Sequence, residues 1–327
     1  MPGGIMFGKI KGTGSYLPVQ VWDNEQLSHM VDTSDEWIRG RTGIRQRHIA
    51  AEKETVSQMA AKAAEAALEN AGIQAEEIQL ILVSTMSAEQ IMPCVACEVQ
   101  KQIGAVNAVC FDLNSACTGF LLALNTAQAY LGQKIYDTAL VIGAEALSHL
   151  TNWQDRSTCV LFGDGAGAVV LKTEESAQYI QVSHSIGEDG AALTCASRNQ
   201  QKFVKSDADL SETYMQMDGK EVFKFAVSKV PKVIEAVLQK AGKTKDEIRY
   251  YMLHQANLRI VSPVAKHMKE PLEKYPTNIE NMGNTSSASI PLLLDEWNRR
   301  GKINAGDWLI LSGFGGGLTY GASLLNW

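Results

Sequence analysis

Short apolar runs alternate with helix-length segments along almost the whole chain, and this alternation restricts it to an α/β architecture. Strands are expected near 7–15, 78–85, 106–113, 138–144 and 165–172, with helices near 55–71, 93–103 and 117–131. Further on, strands fit 179–186, 249–253, 307–313 and 318–325, and helices fit 219–241, 258–268 and 286–299. The 55–71 segment illustrates the signals. Thr55 stands where a cap is needed, Ala and Glu fill the interior, and Gly72 stops the run.

The two halves echo each other. Cys117 precedes a helical stretch, then the strand-like Thr138–Gly143, then Gly163–Leu171. Asn284-Thr285-Ser286 precedes a helical stretch, then Asp307–Gly313, then Gly315–Leu325. Cys117 to Leu140 and Ser286 to Leu309 are both steps of 23 residues, the pattern of a duplicated unit. The expected boundary lies near residue 175, in the polar stretch Thr173–Gln178, dividing 1–175 from 176–327. Cys195 to Tyr214 is polar without a period and reads as a loop. Trp22, Trp37 and the dense Arg39, Arg41, Arg45 and Arg47 interrupt the alternation, and such insertions on an α/β scaffold often contact substrate.

With 327 residues, 45% of them hydrophobic, the chain can bury one large core or two fused ones. A net charge of −6 gives no bulk electrostatic support for binding nucleic acid. No apolar stretch approaches the roughly 20 residues of a membrane span. Met1 to Gly12 lacks the build of a signal peptide, so a cytoplasmic protein is expected. The six cysteines, at 94, 97, 110, 117, 159 and 195, are expected to be free thiols. Cys94 and Cys97 form a C-x-x-C, but no second pair follows at zinc spacing. They read as core thiols, a redox pair or half a metal site being the alternatives, and no metal is expected.

Four features carry chemistry. Cys117 lies in Asn114-Ser115-Ala116-Cys117-Thr118-Gly119-Phe120, after a strand and at the head of a helix. Unpaired N–H groups and the positive end of the helix dipole favour thiolate there, so an activated nucleophile is expected. His254 follows the apolar Tyr250-Tyr251-Met252-Leu253, at the strand edge where α/β proteins bind ligands. Asn284 stands in Gly283-Asn284-Thr285-Ser286-Ser287-Ala288-Ser289, where an N-cap is the plainer explanation. Phe314-Gly315-Gly316-Gly317 permits close backbone approach or a tight hairpin. Gly163-Asp164-Gly165-Ala166-Gly167 leads into a strand, which argues against a phosphate loop.

Taken in order, Asn114–Phe120, His254–Arg259, Gly283–Ser289 and Phe314–Gly321 resemble the signature segments of β-ketoacyl-acyl-carrier-protein synthase III, the condensing enzyme that starts fatty-acid synthesis. Gly12–Pro18, Val31–Ile38 and Arg41–Arg45 resemble that family as well. The resemblance implies a thiolase-like five-layer αβαβα sandwich of two similar halves, commonly a homodimer. It implies catalysis by Cys117, His254 and Asn284, with the N–H groups of Cys117 and Gly316 as oxyanion donors. It assigns Trp37 and Arg156 to stacking on the CoA adenine and Arg41 to the CoA phosphates. Gly219, Phe223 and Asn257 would line the pantetheine tunnel, and Met92 would bound the acyl pocket. Gln255, Ala256, Asn257, Leu258, Arg259, Lys224 and Lys266 would meet the carrier protein.

The implied partners are acyl-CoA, acetyl-CoA first, and malonyl-acyl-carrier protein. The CoA thioester is then a substrate and no separate cofactor is expected. Lys220, Lys224 and Lys232, with Arg259 and Lys266, form a candidate basic patch for an acidic carrier protein, though Lys-rich helix faces are commonly just solvated. The alternatives are a related condensing enzyme of secondary metabolism, a cysteine or thioester hydrolase, and an inactive scaffold that binds carrier protein. The hydrolase lacks its C-G-[SA]-C-[WY] context here, and a scaffold has no need of the three residues.

Overall fold

The computed structural model describes residues 6–197 and 213–327. Most of the stretch expected to be a loop, 198–212, lies outside the described residues. In chain order the strands are β1 (Phe7–Tyr16), β2 (Gln20–Asp23), β3 (Gln46–Ile49), β4 (Leu80–Ser84), β5 (Val109–Leu113), β6 (Thr138–Glu145) and β7 (Gly165–Glu174). They continue as β8 (Tyr179–Ser185), β9 (Leu193–Thr194), β10 (Gln216–Met217), β11 (Ile248–Leu253), β12 (Trp308–Gly315) and β13 (Thr319–Asn326).

Two sheets carry the fold. The first runs β1-β7-β6-β4-β5, the second β8-β13-β12-β11. In each, the first two pairings are antiparallel and the next is parallel. β7 ends at Glu174, and β8 opens the other sheet at Tyr179. The strands alternate between two buried faces, which is why they read as continuous apolar runs. Leu80 and Leu82 point into a central core while Ile81 and Val83 point outward to another. Met252 and Leu311 face the same central core from the second sheet, with Leu253 and Ile310 behind them.

Helices fill the remaining layers. The Gly119–Gly132 and Ser289–Arg299 helices supply Phe120, Leu124, Leu293 and Leu294 to the core between the sheets. Val56–Ala71 and Val95–Ile103 cover the outer face of the first sheet, and Gly219–Ala241 and Leu258–Met268 that of the second. The result is the five-layer αβαβα sandwich. As expected, Thr55 caps the Val56–Ala71 helix in a capping box with Gln58, and Gly72 ends it at φ +64°. The short ribbons β2–β3 and β9–β10 and the Asp35–Thr42 helix went unread in the sequence because segments so brief carry no period. Among the described residues no helix is long and apolar enough to cross a membrane.

One detail of the repeat needs correction. Each central helix is preceded by a single 3-10 turn, Ala116–Thr118 or Ser286–Ala288. Both turns open on a residue with positive φ, Ala116 at 44° and Ser286 at 47°. The structural counterpart of Cys117 is therefore Ser287 rather than Ser286, and Leu140 matches the outward-facing Ile310. Spacing alone leaves a one-residue slip open, and backbone conformation removes it.

Truncating Leu82 in the central core to Ala is expected to cost about 2–5 kcal/mol of stability in denaturant unfolding. Val106→Ala, at a position 73% exposed, should stay within about 0.5 kcal/mol.

Candidate active site

Cys117 is the middle residue of the Ala116–Thr118 turn that feeds the Gly119–Gly132 helix. Its surroundings leave room for backbone only. A Cβ on Gly315 would lie 2.8 Å from the Cβ of Cys117, and one on Gly119 would lie 1.9 Å from Ser84 Oγ. Glycine at both places lets the end of β12 close on the nucleophile's turn.

His254 leaves the end of β11, its N–H donating to the carbonyl of Ser312 at 2.8 Å. The ring meets Phe314 with centroids 5.1 Å apart, and Nδ1 lies 2.6 Å from Ser289 Oγ. That hydroxyl also accepts the Gln255 N–H at 3.3 Å, so its own proton is directed to Nδ1. A Ser289 hydroxyl that donates to Nδ1 leaves the ring proton on Nε2. Burial pushes the imidazole pKa down to about 3, which keeps the ring neutral near pH 7.

Asn284 is fixed by main-chain bonds on both sides, N–H to Leu161 O at 2.8 Å and O from Gly163 N–H at 3.0 Å. Its Oδ1 accepts the Ser286 N–H at 2.9 Å. Thr285 rather than Asn284 holds the N-cap position of the Ser286–Ala288 turn, and the Asn284 contact has a chemical consequence. With Oδ1 occupied, Nδ2 remains as the donor end of the side chain.

Cys117, His254 and Asn284 line one cavity of about 1310 Å³. The Gly316 N–H in its wall has no backbone acceptor among the described residues. The site thus presents one thiol, two neutral side-chain donors and a free amide. Burial works against the expected standing thiolate. Burial pushes the Cys117 thiol up to about 12, outweighing the hydroxyl of Ser286, and the charge of Glu145 raises it further. Desolvation opposes the thiolate that the helix start favours.

Arg41, Gly219, Phe223, Ala256, Asn257, Arg259 and Gly316 join the three in the cavity lining. Other assignments fall elsewhere. Trp37 and Arg156 lie outside the cavity lining, where the Trp37 ring carries the guanidinium of Arg41 at 4.8 Å and that of Arg156 at 4.9 Å. Arg156 is held there by the carbonyl of Asp32 at 2.7 Å. Met92 is 83% exposed and does not bound the cavity of its own chain. Gln255 is buried, donating to Leu253 O and accepting from Asn278 N–H, and offers no surface to a carrier protein. Leu258, Lys224 and Lys266 lie on the surface outside the cavity, and Lys224 pairs with Glu221. None of the six cysteines is joined in a disulfide, and the Cys94 and Cys97 sulfurs lie 3.4 Å apart. Among the described residues no cluster of His, Cys, Asp or Glu is arranged to hold a metal ion.

The sequence reading missed Glu145, Ser286 and Ser289. Glu145 had a usable signal, a charge ending an otherwise uncharged strand that is buried throughout. The serines had none, since Ser near a helix start is ordinary.

A thiol of this kind should be alkylated slowly. Iodoacetamide labelling of Cys117, followed by peptide mass spectrometry, should accelerate steadily beyond about pH 9 and show no plateau near pH 7. A preformed thiolate would plateau early.

Two family profiles match the chain. The one described as 3-Oxoacyl-[acyl-carrier-protein (ACP)] synthase III covers residues 111–190, and its C-terminal companion covers 238–327. A β-ketoacyl-[acyl-carrier-protein] synthase III of Clostridium acetobutylicum is 46% identical over 98% of this chain and 98% of its own. The crystal structure of 3-oxoacyl-[acyl-carrier-protein] synthase III from Aquifex aeolicus gives a TM-score of 0.91 at 42% identity, over 98% of this chain and all of that one. The priming β-ketosynthase of the R1128 polyketide pathway gives 0.94 at 35% identity, over 100% and 98%. Full-length similarity of this degree, together with a Cys, His and Asn meeting in one cavity, places the chain in the β-ketoacyl-[acyl-carrier-protein] synthase III family.

Proposed function

We propose that this chain joins an acyl-CoA primer, acetyl-CoA first, to malonyl-acyl-carrier protein and so opens fatty-acid synthesis. The observation that carries the reading is the meeting of one thiol and two neutral donors in a single cavity. The thioesters are substrates, and the reaction as proposed uses no separate cofactor. Arg41, Lys220 and Arg259 at the cavity lining offer cations to the phosphates of CoA and of the carrier's prosthetic arm.

In the first half-reaction Cys117 sulfur attacks the primer carbonyl, the N–H groups of Cys117 and Gly316 hold the oxyanion, and CoA departs. In the second, malonyl thioester loses carbon dioxide. His254 Nε2–H and Asn284 Nδ2–H donate to the thioester oxygen that becomes the enolate. The carbanion then attacks the acyl-cysteine and gives the 3-oxoacyl product. A neutral pair suits this step, because Asp at position 284 would set a negative charge against the developing one.

The carrier protein is proposed to dock where the Gly219–Ala241 and Leu258–Met268 helices meet, with Arg259, Lys224 and Lys266 outward. A cytoplasmic location and a division into halves at residues 175/176 belong to the same proposal. So does a homodimer. β5 is the outer strand of its sheet, and Val109 on it is 49% exposed, with Ile91 79% and Met92 83% exposed ahead of the Val95–Ile103 helix. An open apolar edge of this kind invites a second copy.

Two outcomes follow for measurement. Cys117→Ser should abolish the acetyl adduct seen by mass spectrometry, while Asn284→Asp and His254→Ala should slow carbon dioxide release by about 100-fold or more and leave the adduct. Val109→Lys should shift the protein from dimer to monomer in light scattering after size exclusion, and an unchanged dimer would remove β5 from the interface.

A further inference from the structure

Met86, Leu147, Leu161, Phe162 and Met215 line the cavity and pack together as one apolar cluster. The Thr85–Met86 segment leaves β4 beside the nucleophile's approach, with the Thr85 N–H donating to Leu113 O at 3.2 Å. An alkyl chain carried on Cys117 would find apolar contacts on this wall. Behind the wall lies a buried acid. Glu145 ends β6, is fully buried, and stands two residues before Leu147. Its Oε2 accepts from Ser87 Oγ at 2.6 Å, Met86 N–H at 3.1 Å and Thr85 Oγ1 at 3.3 Å. Ser87 Oγ in turn accepts the Ala146 N–H at 2.8 Å. On its other side, Glu145 Oε1 meets Ser287 Oγ at 2.8 Å, and that hydroxyl also faces the Ser84 carbonyl at 3.0 Å. Each of the four groups donating to Glu145 is neutral. An apolar side chain would fill the same space at less cost in desolvation, so what the acid adds is hydrogen bonding.

We propose that Glu145 is a positioning residue for primer selectivity, pinning Met86 and Leu147 and so fixing the room left for the acyl chain. The carboxyl holds Met86 directly through its N–H and holds the start of the Leu147 segment through Ser87 and Ala146. Glu145 itself stays behind the lining and touches no substrate. A hydrogen-bonded network satisfied at every member is stiff, which is what a size-selective wall requires. Through Ser287 the same carboxyl ties this wall to the Ser286–Ala288 turn from the second half of the chain.

The inference rests on the condensation reading, and single-turnover acylation of Cys117 separates the two. Adduct formation from acetyl-CoA and from butyryl-CoA is followed by quenched-flow mass spectrometry in wild type, Ser87→Ala, Glu145→Ala and Glu145→Gln. Freed from its anchor, the wall should admit the longer chain, so the ratio of butyryl to acetyl rate should rise about 10-fold or more in both Ala variants. Glu145→Gln should keep the wild-type ratio. Its amide can accept from Ser87 and Met86 and donate to Ser287 Oγ, whose own proton then goes to the Ser84 carbonyl. A ratio that stays or falls in either Ala variant would overturn the proposal, equal slowing of both thioesters being the mark of a merely structural role. A Gln variant that shifts as far as Glu145→Ala would overturn it too, since charge and not hydrogen bonding would then be at work. If Glu145→Ala fails to fold, Ser87→Ala decides. A wild-type protein that forms an adduct with neither thioester would instead end the condensation reading.

Discussion

The site depends on one close approach, that of the Ala116–Thr118 turn to the end of β12 and to the Ser286–Ala288 turn. Side chains would prevent it. A Cβ on Gly143 would stand 2.4 Å from the Ser287 carbonyl, and one on Gly315 would collide with Cys117 itself. Glycine at these contacts brings two backbone turns from opposite halves of the chain against one another. The central helices that follow the turns bury Phe120, Leu124, Leu293 and Leu294 between the sheets and hold them there. Packing of this kind is close to crystalline density, so the reactive groups inherit the precision of the core.

Burial then sets the protonation states. The same dry surroundings that leave His254 neutral keep the Cys117 proton in place and make Glu145 harder to ionise. Each shift would be a liability in an isolated group. Together they assemble a site whose hydrogen-bond donors carry no charge. Donors in a medium of low polarity act more strongly on a developing oxyanion than the same groups in water.

The duplicated architecture explains why the chemistry divides as it does. Both halves present a turn of the same shape at the same place, with Cys117 in one and Ser287 in the other. The first became the nucleophile's seat in the proposed reaction. The second anchors Glu145 through its serine and presents Asn284 two residues ahead of Ser286. The basic groups that line the opening come from both halves, Arg41 from one and Lys220 and Arg259 from the other.

Much of this was legible in the chain itself. Apolar alternation announced two α/β halves because strands buried on both faces must be apolar throughout, and Cys117, His254 and Asn284 stood in motifs whose order is preserved. Local sequence also placed the glycines, since backbone contact tolerates nothing larger. Tertiary structure alone decided the rest. Burial opposes the charge state that the helix start suggested for Cys117, because desolvation is a property of the whole fold rather than of neighbours in sequence. It closed Arg156 onto Trp37, turned Gln255 inward, left Met92 on the surface, and buried Glu145 against the hydroxyls of Ser87 and Ser287. Distances across a core, and the loss of water that comes with them, have no signature in the order of residues.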